Sequence, residues 1–420
     1  MDTKLYQQYV EILNRELVPA MGCTEPIAVA YAAAVAAKTL AERPAQIRIV
    51  VSSNIIKNVK SVIVPNTGGL HGLAAAAAAG IVAGDAEKKL LVIAEVSESQ
   101  KEEIAAYLKQ AEFVVEESQS GELFDICITL TAGEHTSMCR IAGDHTNVVQ
   151  VMQNGEVVFR KTLEAAREEV SKDCLDMEQI VEFAQQVKIG DVKDVLYRQI
   201  RCNMDIAQEG LSKPYGARIG QVLLATREPS VHTRAKAMAA AASDARMGGC
   251  EKPVVINSGS GNQGITASVP VIVYAQEMGV SQEQLYRALV VSNLTTLHLK
   301  CGIGPLSAYC GAISAGCGAA AGITYLHGGG FREIAHTVVN ALAINSGVIC
   351  DGAKASCAAK IVSAVEAGLL GMEMFRQGSQ FYGGDGIVSK GVENTIRNVS
   401  QLATEGMRKT DAEIIKIMLT

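Results

Sequence analysis

Five of the eleven cysteines lie in one stretch of the chain, as Cys301, Cys310, Cys317, Cys350 and Cys357. Thiolates can ligate zinc or an iron–sulfur cluster, whereas buried thiols can equally serve as small core residues. Neither pair of cysteines seven residues apart matches a zinc-finger or ferredoxin pattern. The spacing alone therefore leaves a metal centre and structural cysteines both open.

The best candidate for a ligand trio is Cys310, Cys350 and Cys357. Seven residues of unbroken helix rise about 10 Å, too far for two thiolates to share a small cluster. The Asp351-Gly352 step is a turn signal that can fold Cys350 back over the helix carrying Cys357. No such break separates Cys310 from Cys317, which we expect to be a packing residue. Three thiolates suit an iron–sulfur cluster with one open iron, or a zinc site with an open position.

Cys23 stands in the segment MGCTEP, residues 21–26, immediately before an Ala/Val-rich predicted helix. Thr24 can cap that helix, and Pro26 suits its first turn. A thiol at a helix N-terminus faces the positive end of the helix dipole, so we expect a lowered pKa and a thiolate. The alternative is a buried free cysteine beside a helix cap.

A glycine- and serine-rich loop, NSGSGNQG at residues 257–264, precedes a predicted helix. Its backbone N–H groups can bind a carboxylate or a phosphate. It is not a dinucleotide fingerprint, because the βαβ context and the later acidic residue are missing. An ordinary capped turn has a similar composition. A second polar loop, NTGG at residues 66–69, joins a predicted strand to a helix and is followed by His71, which can act as a base or contact an anion.

The composition excludes some classes of protein. The 420-residue chain has a net charge of −6 and no long basic run, so we expect no nucleic-acid partner. The uncharged segment 301–326 is rich in Gly, Ala and Ser and contains Pro305, which favours a buried helix over a membrane span. The N-terminus lacks the apolar region of a signal peptide. Eleven cysteines without such a signal indicate a cytoplasmic protein.

Hydrophobic periodicity predicts an α+β fold, mainly an all-α catalytic domain with an inserted α/β domain. Residues 1–43 and 161–420 form the predicted helical domain, and residues 44–160 the insert. Strand-like runs within the insert include residues 47–56, 59–65 and 89–96. Helices after the insert are predicted near residues 178–187, 190–209, 213–225, 230–248, 262–278, 282–293, 306–326, 331–345, 353–370 and 388–418.

Several segments together resemble the L-cysteine desulfidase family, which is related to the α chain of iron–sulfur L-serine dehydratases. The resemblance spans nearly the whole chain and keeps the order of the motifs. The matching segments are MGCTEP (21–26), NTGG (66–69), NSGSGNQG (257–264), CGAISAGCGAAAG (310–322), ICDGAKASC (349–357) and GGDGI (383–387).

This resemblance implies a [4Fe–4S] cluster bound by Cys310, Cys350 and Cys357, with one iron left for substrate. It implies an enzyme that works without pyridoxal phosphate, and it makes Cys23 the proton acceptor. The implied reaction eliminates sulfide from L-cysteine and gives pyruvate and ammonia. The carboxylate of this small L-amino acid is expected at the 258–264 loop, with help from the 66–69 loop. The predicted substrate contacts are Asn66, Thr67, Ser258, Gly259, Asn262 and Gln263.

Three other interpretations remain. An L-serine or L-threonine dehydratase would use the same cluster, although the interval between Cys350 and Cys357 is shorter than we expect in serine dehydratases and favours the desulfidase. A non-enzymatic iron–sulfur or zinc sensor is a candidate from another class, although no basic DNA-binding segment is present. A helical scaffold with packing cysteines is the third. The chain can also form a homodimer, although no segment marks an interface.

Overall fold

The computed structural model describes residues 1–162, 171–304 and 306–419. The fold is α+β and mostly helical, as the sequence predicts. A 3-10 helix spans Ala86–Leu91, and a π-helix spans Leu402–Gly406. The α-helices are α1 (Thr3–Glu16), α2 (Thr24–Leu40), α3 (Ser53–Val59), α4 (Leu73–Ala83), α5 (Glu98–Gln110), α6 (Met177–Gln186), α7 (Ile189–Ser212), α8 (Ile219–Thr226), α9 (Val231–Met247), α10 (Gly261–Met278), α11 (Gln282–Ile303), α12 (Gly311–Leu326), α13 (Phe331–Ile344), α14 (Cys357–Arg376), α15 (Val392–Gln401) and α16 (Arg408–Leu419).

A six-stranded mixed sheet has the order β3-β2-β4-β5-β6-β7. Strand β2 runs parallel to β3, and the other neighbouring pairs are antiparallel. A separate two-stranded sheet pairs β1 with β8, which ties the N-terminal segment to the helical region. The strands are β1 (Pro19–Met21), β2 (Gln46–Val51), β3 (Glu112–Glu117), β4 (Asp125–Ala132), β5 (His135–Ala142), β6 (Val148–Gln153), β7 (Glu156–Arg160) and β8 (Pro253–Val255).

Helix α2 links the sheet to the rest of the molecule. Most of its residues are buried, because it packs on β4 and β5 and also against α4. Gly80 of α4 allows the two backbones to approach closely, since a Cβ there would collide with the Ala30 carbonyl. The start of α2 is therefore held in a fixed position. The division into domains at residues 43/44 and 160/161 stays a prediction. The sequence also predicts a helix in KTLEAAREEV at 161–170, and residues 163–170 lie outside the described part of the chain.

The helical core is assembled from small residues, as the low aromatic content predicts. Helix α12 packs on α10, α11 and α14. Gly318 faces Ser292 and Thr296 of α11, and Gly316 faces Ala364 of α14. Helices with glycine at such positions can pack with little space between their axes. This close packing fixes the starts of α12 and α14, where two of the predicted ligands lie.

Three strand predictions are wrong in part. Residues 47–56 form β2 only to Val51 and then enter α3; residues 59–65 contribute a single bridge, between Ile63 and His71. Residues 89–96 contain the end of the 3-10 helix and turns, with Leu90 and Ile93 buried. A short apolar run is compatible with a buried strand and with a buried turn. The hydrophobic pattern of these segments therefore cannot distinguish the two structures.

The later helix predictions correspond to α6, α7 and α9–α14. The segment predicted as helix at 213–225 becomes helical only at Ile219, and the one at 388–418 divides into α15, the π-helix and α16. The uncharged run 301–326 contains the end of α11, a loop and α12. No helix in the described part of the chain is long and apolar enough to cross a membrane.

His298 of α11 lies with its Nε2 2.8 Å from Glu393 Oε2. Glu393 also accepts the Met177 N–H at the start of α6. Burial opposes ionisation of this carboxyl, but the His298 hydrogen bond, the His298 charge and the Met177 N–H outweigh it and lower its pKa. A carboxylate with a lowered pKa stabilises the fold above its unfolded pKa, and that stabilisation is lost as the pH falls.

We therefore expect Glu393→Gln to reduce stability by about 1 kcal/mol at pH 7, because a charged hydrogen-bond acceptor is lost from a half-buried site. The difference from wild type should shrink below about pH 4, where the native carboxylate also becomes protonated. Urea denaturation of both proteins at pH 7 and at acid pH measures the difference in free energy of unfolding under each condition. Glu102→Gln, at an exposed position of α5, is the control and should have little effect. An equal loss at both pH values would contradict this assignment.

Candidate active site

The structure brings Cys310, Cys350 and Cys357 to the wall of one cavity of about 130 Å³. Tyr309 and Ile349 form an isolated antiparallel bridge. On either side of it, the Cys310 N–H donates to the Val348 carbonyl at 2.9 Å and the Cys350 N–H donates to the Ala308 carbonyl at 2.6 Å. This short pairing sets Cys310 beside Cys350. Cys357 joins them as the first residue of α14.

Two neighbouring cysteines stand apart from this trio. Cys317 is buried in α12 and does not line the cavity, which agrees with its prediction as a packing residue. Cys301 is also absent from the cavity wall. The trio chosen from the turn signal at Asp351-Gly352 is thus the set of cysteines that the fold brings to this cavity.

The thiols of Cys310 and Cys350 are electrostatically coupled. The hydrogen bond from Cys310 lowers the pKa of the Cys350 thiol, and the ammonium groups of Lys57 and Lys300 lower it further. The same hydrogen bond and burial raise the pKa of Cys310. Burial also raises the pKa of Cys357. Of the close pair, Cys350 is therefore the member whose thiolate form is favoured.

Three cationic side chains line the same wall, Lys57, Arg246 and Lys300. Lys57 pairs with Asp411 of α16 at 2.6 Å. Burial lowers the pKa of Lys300 to about 8, against the opposing effect of the Cys350 and Cys310 thiols. The lining includes one carboxylate, that of Glu25. This balance of charge favours anionic ligands, such as thiolates, a carboxylate or an anionic cluster.

Four helices begin at the cavity. Helix α2 contributes Glu25 from its first turn; α10, α12 and α14 begin beside Ser260, Cys310 and Cys357. The unpaired N–H groups and the dipole of a helix N-terminus both attract negative charge. The backbone therefore adds to the positive potential that the three cations create.

The glycine–serine loop forms another part of the wall. Ser258, Gly259, Asn262 and Gln263, which the sequence analysis predicts to be substrate contacts, all line the cavity. Ser258 and Gly259 have φ values of 49° and 72°, so the loop turns sharply before α10. Asn262 Oδ1 and Gln263 Oε1 are buried and have no hydrogen-bond partner among the residues that the structure describes. Buried oxygens of this kind can accept hydrogen bonds from a ligand bound in the cavity.

Cys23 is not part of the cavity wall. It is fully buried and packs with Val62 and Met247 against Cys357. Burial raises its pKa to about 12, although the Arg246 charge opposes this. The thiol does precede α2, as expected, but the expected lowering of its pKa is wrong. Removal from water outweighs the helix dipole here.

The second predicted loop does not reach the cavity. Asn66 donates to the Ile93 carbonyl at 2.7 Å, and Thr67 donates to the Val64 carbonyl at 2.7 Å. Both side chains thus fix the loop and are buried there. The His71 side chain is exposed and does not line the cavity either. The predicted substrate contacts of Asn66 and Thr67 therefore have no geometric support.

His145 lines the cavity and was missed in the sequence. It comes from the loop between β5 and β6, far in sequence from every cysteine of the trio. Its ring lies against Gly259 and Phe124, and its buried Nε2 has no hydrogen-bond partner in the described part of the chain. A single histidine in a loop belongs to no motif that would mark it in the sequence. The position of His145 at the cavity is therefore evident only from the fold. The sheet therefore contributes a side chain to a cavity formed mainly by helices.

Among the described residues, no group of three or more His, Cys, Asp or Glu side chains lies close enough to hold a single metal ion. The trio lines one cavity without converging on one point. A cluster is larger than an ion, and its thiolate ligands stand further apart than those of a single zinc.

The chain is similar to proteins of one family. The profile described as "Serine dehydratase alpha chain" matches residues 87–416. A UPF0597 protein of Desulfitobacterium hafniense is 57% identical over 418 residues, which cover 99% of this chain and 97% of the relative. A UPF0597 protein of Lachnoclostridium phytofermentans is 47% identical over 416 residues, covering 99% and 100% of the two chains. One of Treponema denticola is 44% identical over 427 residues, covering 100% and 99%.

Proposed function

The chain belongs to the serine dehydratase α-chain family, and we propose that it is an iron–sulfur-dependent lyase that eliminates sulfide from L-cysteine. The observation that carries this proposal is the shared cavity: three cysteines, the loop Ser258–Gln263 and three cations line the same wall. Pyridoxal phosphate is not part of the proposal. Membership of this family itself implies a dehydratase-type lyase that depends on an iron–sulfur cluster.

The donor set fits a [4Fe–4S] cluster. Cys310, Cys350 and Cys357 would hold it, which leaves one iron without a protein ligand. When bound, the cluster supplies a Lewis acid at that iron for the leaving group of the substrate. Lys57 and Lys300 lie on the same wall and would offset the negative charge of the thiolates. The orphaned oxygens of Asn262 and Gln263 would face the substrate beside it.

The protein's own groups would carry out the remaining steps. The N–H groups at the start of α10 would bind the substrate carboxylate, which orients the α-carbon. Cys23 is our proposed acceptor of the α-proton. The electron pair left on the α-carbon then forms the new double bond as the β-carbon–sulfur bond breaks. Aminoacrylate is released and hydrolyses, so L-cysteine and water give pyruvate, ammonia and hydrogen sulfide.

Cys23 competes for this role with His145. Cys23 lies in a small buried cluster with Val62 and Met247, against which Cys357 packs, and it must lose its proton in a buried position before it can act. His145 lines the cavity, and its Nε2 has no protein partner. General-base catalysis needs the acceptor within hydrogen-bond reach of the proton that it removes. The two residues therefore need to be tested side by side.

L-Serine dehydration is the second candidate function, because the matching family profile carries that name. The same residues would serve, with hydroxide rather than sulfide leaving from the β-carbon. Sulfide is the better leaving group for a site that presents iron, and the short interval between Cys350 and Cys357 favours L-cysteine. Both substrates give pyruvate, so pyruvate alone does not distinguish them.

We expect the anaerobically reconstituted protein to release sulfide and pyruvate in equal amounts from L-cysteine, with a larger kcat/KM than for pyruvate formation from L-serine or L-threonine. Parallel assays of sulfide, pyruvate and ammonia measure this. A larger kcat/KM for L-serine would assign the dehydratase activity. No turnover of any small L-amino acid by protein with a full cluster would contradict the lyase proposal and favour a sensor.

A further inference from the structure

We propose that Glu25 and Arg246 recognise the two charges of an α-amino acid in this cavity, with Arg246 bound to the carboxylate and Glu25 to the ammonium group. The proposal rests on the lyase function and names two residues that set its substrate class. It predicts that acids lacking an α-amino group, and amines lacking a carboxylate, are each bound through only one of the two residues.

Arg246 is a buried cation that needs an anion. It is 2% exposed and lines the cavity near the end of α9. Its Nε donates to the Gly22 carbonyl at 2.8 Å, and none of the ion pairs among the described residues involves it. A buried guanidinium without a counter-ion is costly, and a carboxylate is its best partner.

Arg246 also lies where the carboxylate is expected. Its guanidinium contacts Gly261, the first residue of α10, so closely that a Cβ at this position would collide with Nε. The N–H groups of that helix start and the guanidinium thus face the same region of the cavity. A substrate carboxylate can accept hydrogen bonds from both.

Glu25 is the carboxylate of the cavity lining. Thr24 holds its surroundings in place, because Thr24 Oγ1 lies 3.1 Å from Glu25 Oε2 and donates to the Gly259 carbonyl at 2.9 Å. Glu25 does not pair with Arg246 or with either lysine of the wall in the described structure. Because three cations and four helix starts surround the cavity, Glu25 is the group that can balance an incoming ammonium.

Two further acceptors complete an ammonium site. An α-ammonium group has three N–H donors. Gln263 is 6% exposed, and its Oε1 is buried without a partner; Asn262 Oδ1 is likewise unpaired. The Gln263 side chain lies against Gly311, next to Cys310. With the Glu25 carboxylate, these two amide oxygens offer three acceptors beside the cysteine trio.

Two analogues of L-cysteine separate the two contacts. 3-Mercaptopropionate lacks the α-amino group, and cysteamine lacks the carboxylate. We expect Glu25→Gln to weaken cysteamine binding about tenfold or more while it leaves 3-mercaptopropionate within about twofold. We expect Arg246→Gln to weaken 3-mercaptopropionate binding about tenfold or more while it leaves cysteamine binding within about twofold. Calorimetric titration of the reconstituted protein gives both constants, and the iron content of each variant shows whether the cluster is retained.

The ratio of the two binding constants within one variant is the deciding quantity, because a misfolded protein would lose both analogues equally. A ratio unchanged from wild type in Glu25→Gln would overturn the proposal, and so would a wild-type protein that binds neither analogue. If the protein releases sulfide from L-cysteine but the ratio of the two binding constants is unchanged in the variants, the lyase function is supported and the recognition roles of Glu25 and Arg246 are rejected. If Glu25→Gln selectively weakens cysteamine binding and Arg246→Gln selectively weakens 3-mercaptopropionate binding, but the wild-type protein does not turn over L-cysteine, the recognition is supported and the lyase function is rejected.

Discussion

Replacing Cys350 with Ala is expected to remove the brown absorbance of the anaerobically reconstituted protein and to lower amino-acid turnover by more than about a hundredfold. Changes to groups that merely support a metal ligand cost 10- to 100-fold. Here a proposed ligand itself is lost. Cys350 is held beside Cys310 by its N–H bond to the Ala308 carbonyl, and no other cysteine lines the wall besides Cys357. Absorbance, iron content and sulfide release are the measurements.

Cys317→Ala is the matched control for this variant. It makes the same chemical change at a buried cysteine of α12 that lies off the cavity. The control should keep colour and activity, apart from a small loss of stability from the removed sulfur. Colour retained in Cys350→Ala, or lost in Cys317→Ala, would mean that the trio is misassigned.

Cys23→Ala is expected to keep the cluster and to lower kcat by about 10²- to 10⁴-fold, the range for removal of a general base. Cys23 does not line the cavity, so its loss should leave the three ligands in place. The absorbance spectrum and sulfide release under saturating L-cysteine measure the two effects separately.

His145→Gln and Cys250→Ala complete this experiment. Cys250 is buried away from the cavity wall and controls for the loss of a thiol. Normal turnover in Cys23→Ala together with an inactive but coloured His145→Gln would transfer the proton-accepting role to His145. Loss of colour in Cys23→Ala would instead show that Cys23 ligates the cluster in the resting protein.

Local signals explain what the sequence could predict. The long helices were found because their apolar residues recur with helical spacing. The three cysteines that line the cavity were grouped from the sequence because the turn signal at Asp351-Gly352 can bring together two thiols that a straight helix would keep apart. The loop at 257–264 was found because glycine and serine before a helix are a local feature. Each of these signals lies within a few residues of the side chain that it positions.

The features that were missed depend on contacts between distant segments. His145 reaches the cavity from the sheet, and Arg246 from the end of α9, with no motif to mark either. Asn66 and Thr67 belong to a loop of the right composition, yet the fold commits their side chains to backbone carbonyls. The pKa of Cys23 was predicted in the wrong direction because burial is a property of the fold and not of the helix cap.

The central claim is that Cys310, Cys350 and Cys357 together bind one iron–sulfur cluster. Iron and acid-labile sulfide per chain after anaerobic reconstitution test it most directly. We predict about four of each per chain in the wild type, as a [4Fe–4S] cluster requires, and almost none when any one of the three cysteines is replaced with Ala. A wild-type chain that retains no iron, or triple replacement that leaves the iron content unchanged, would contradict the claim.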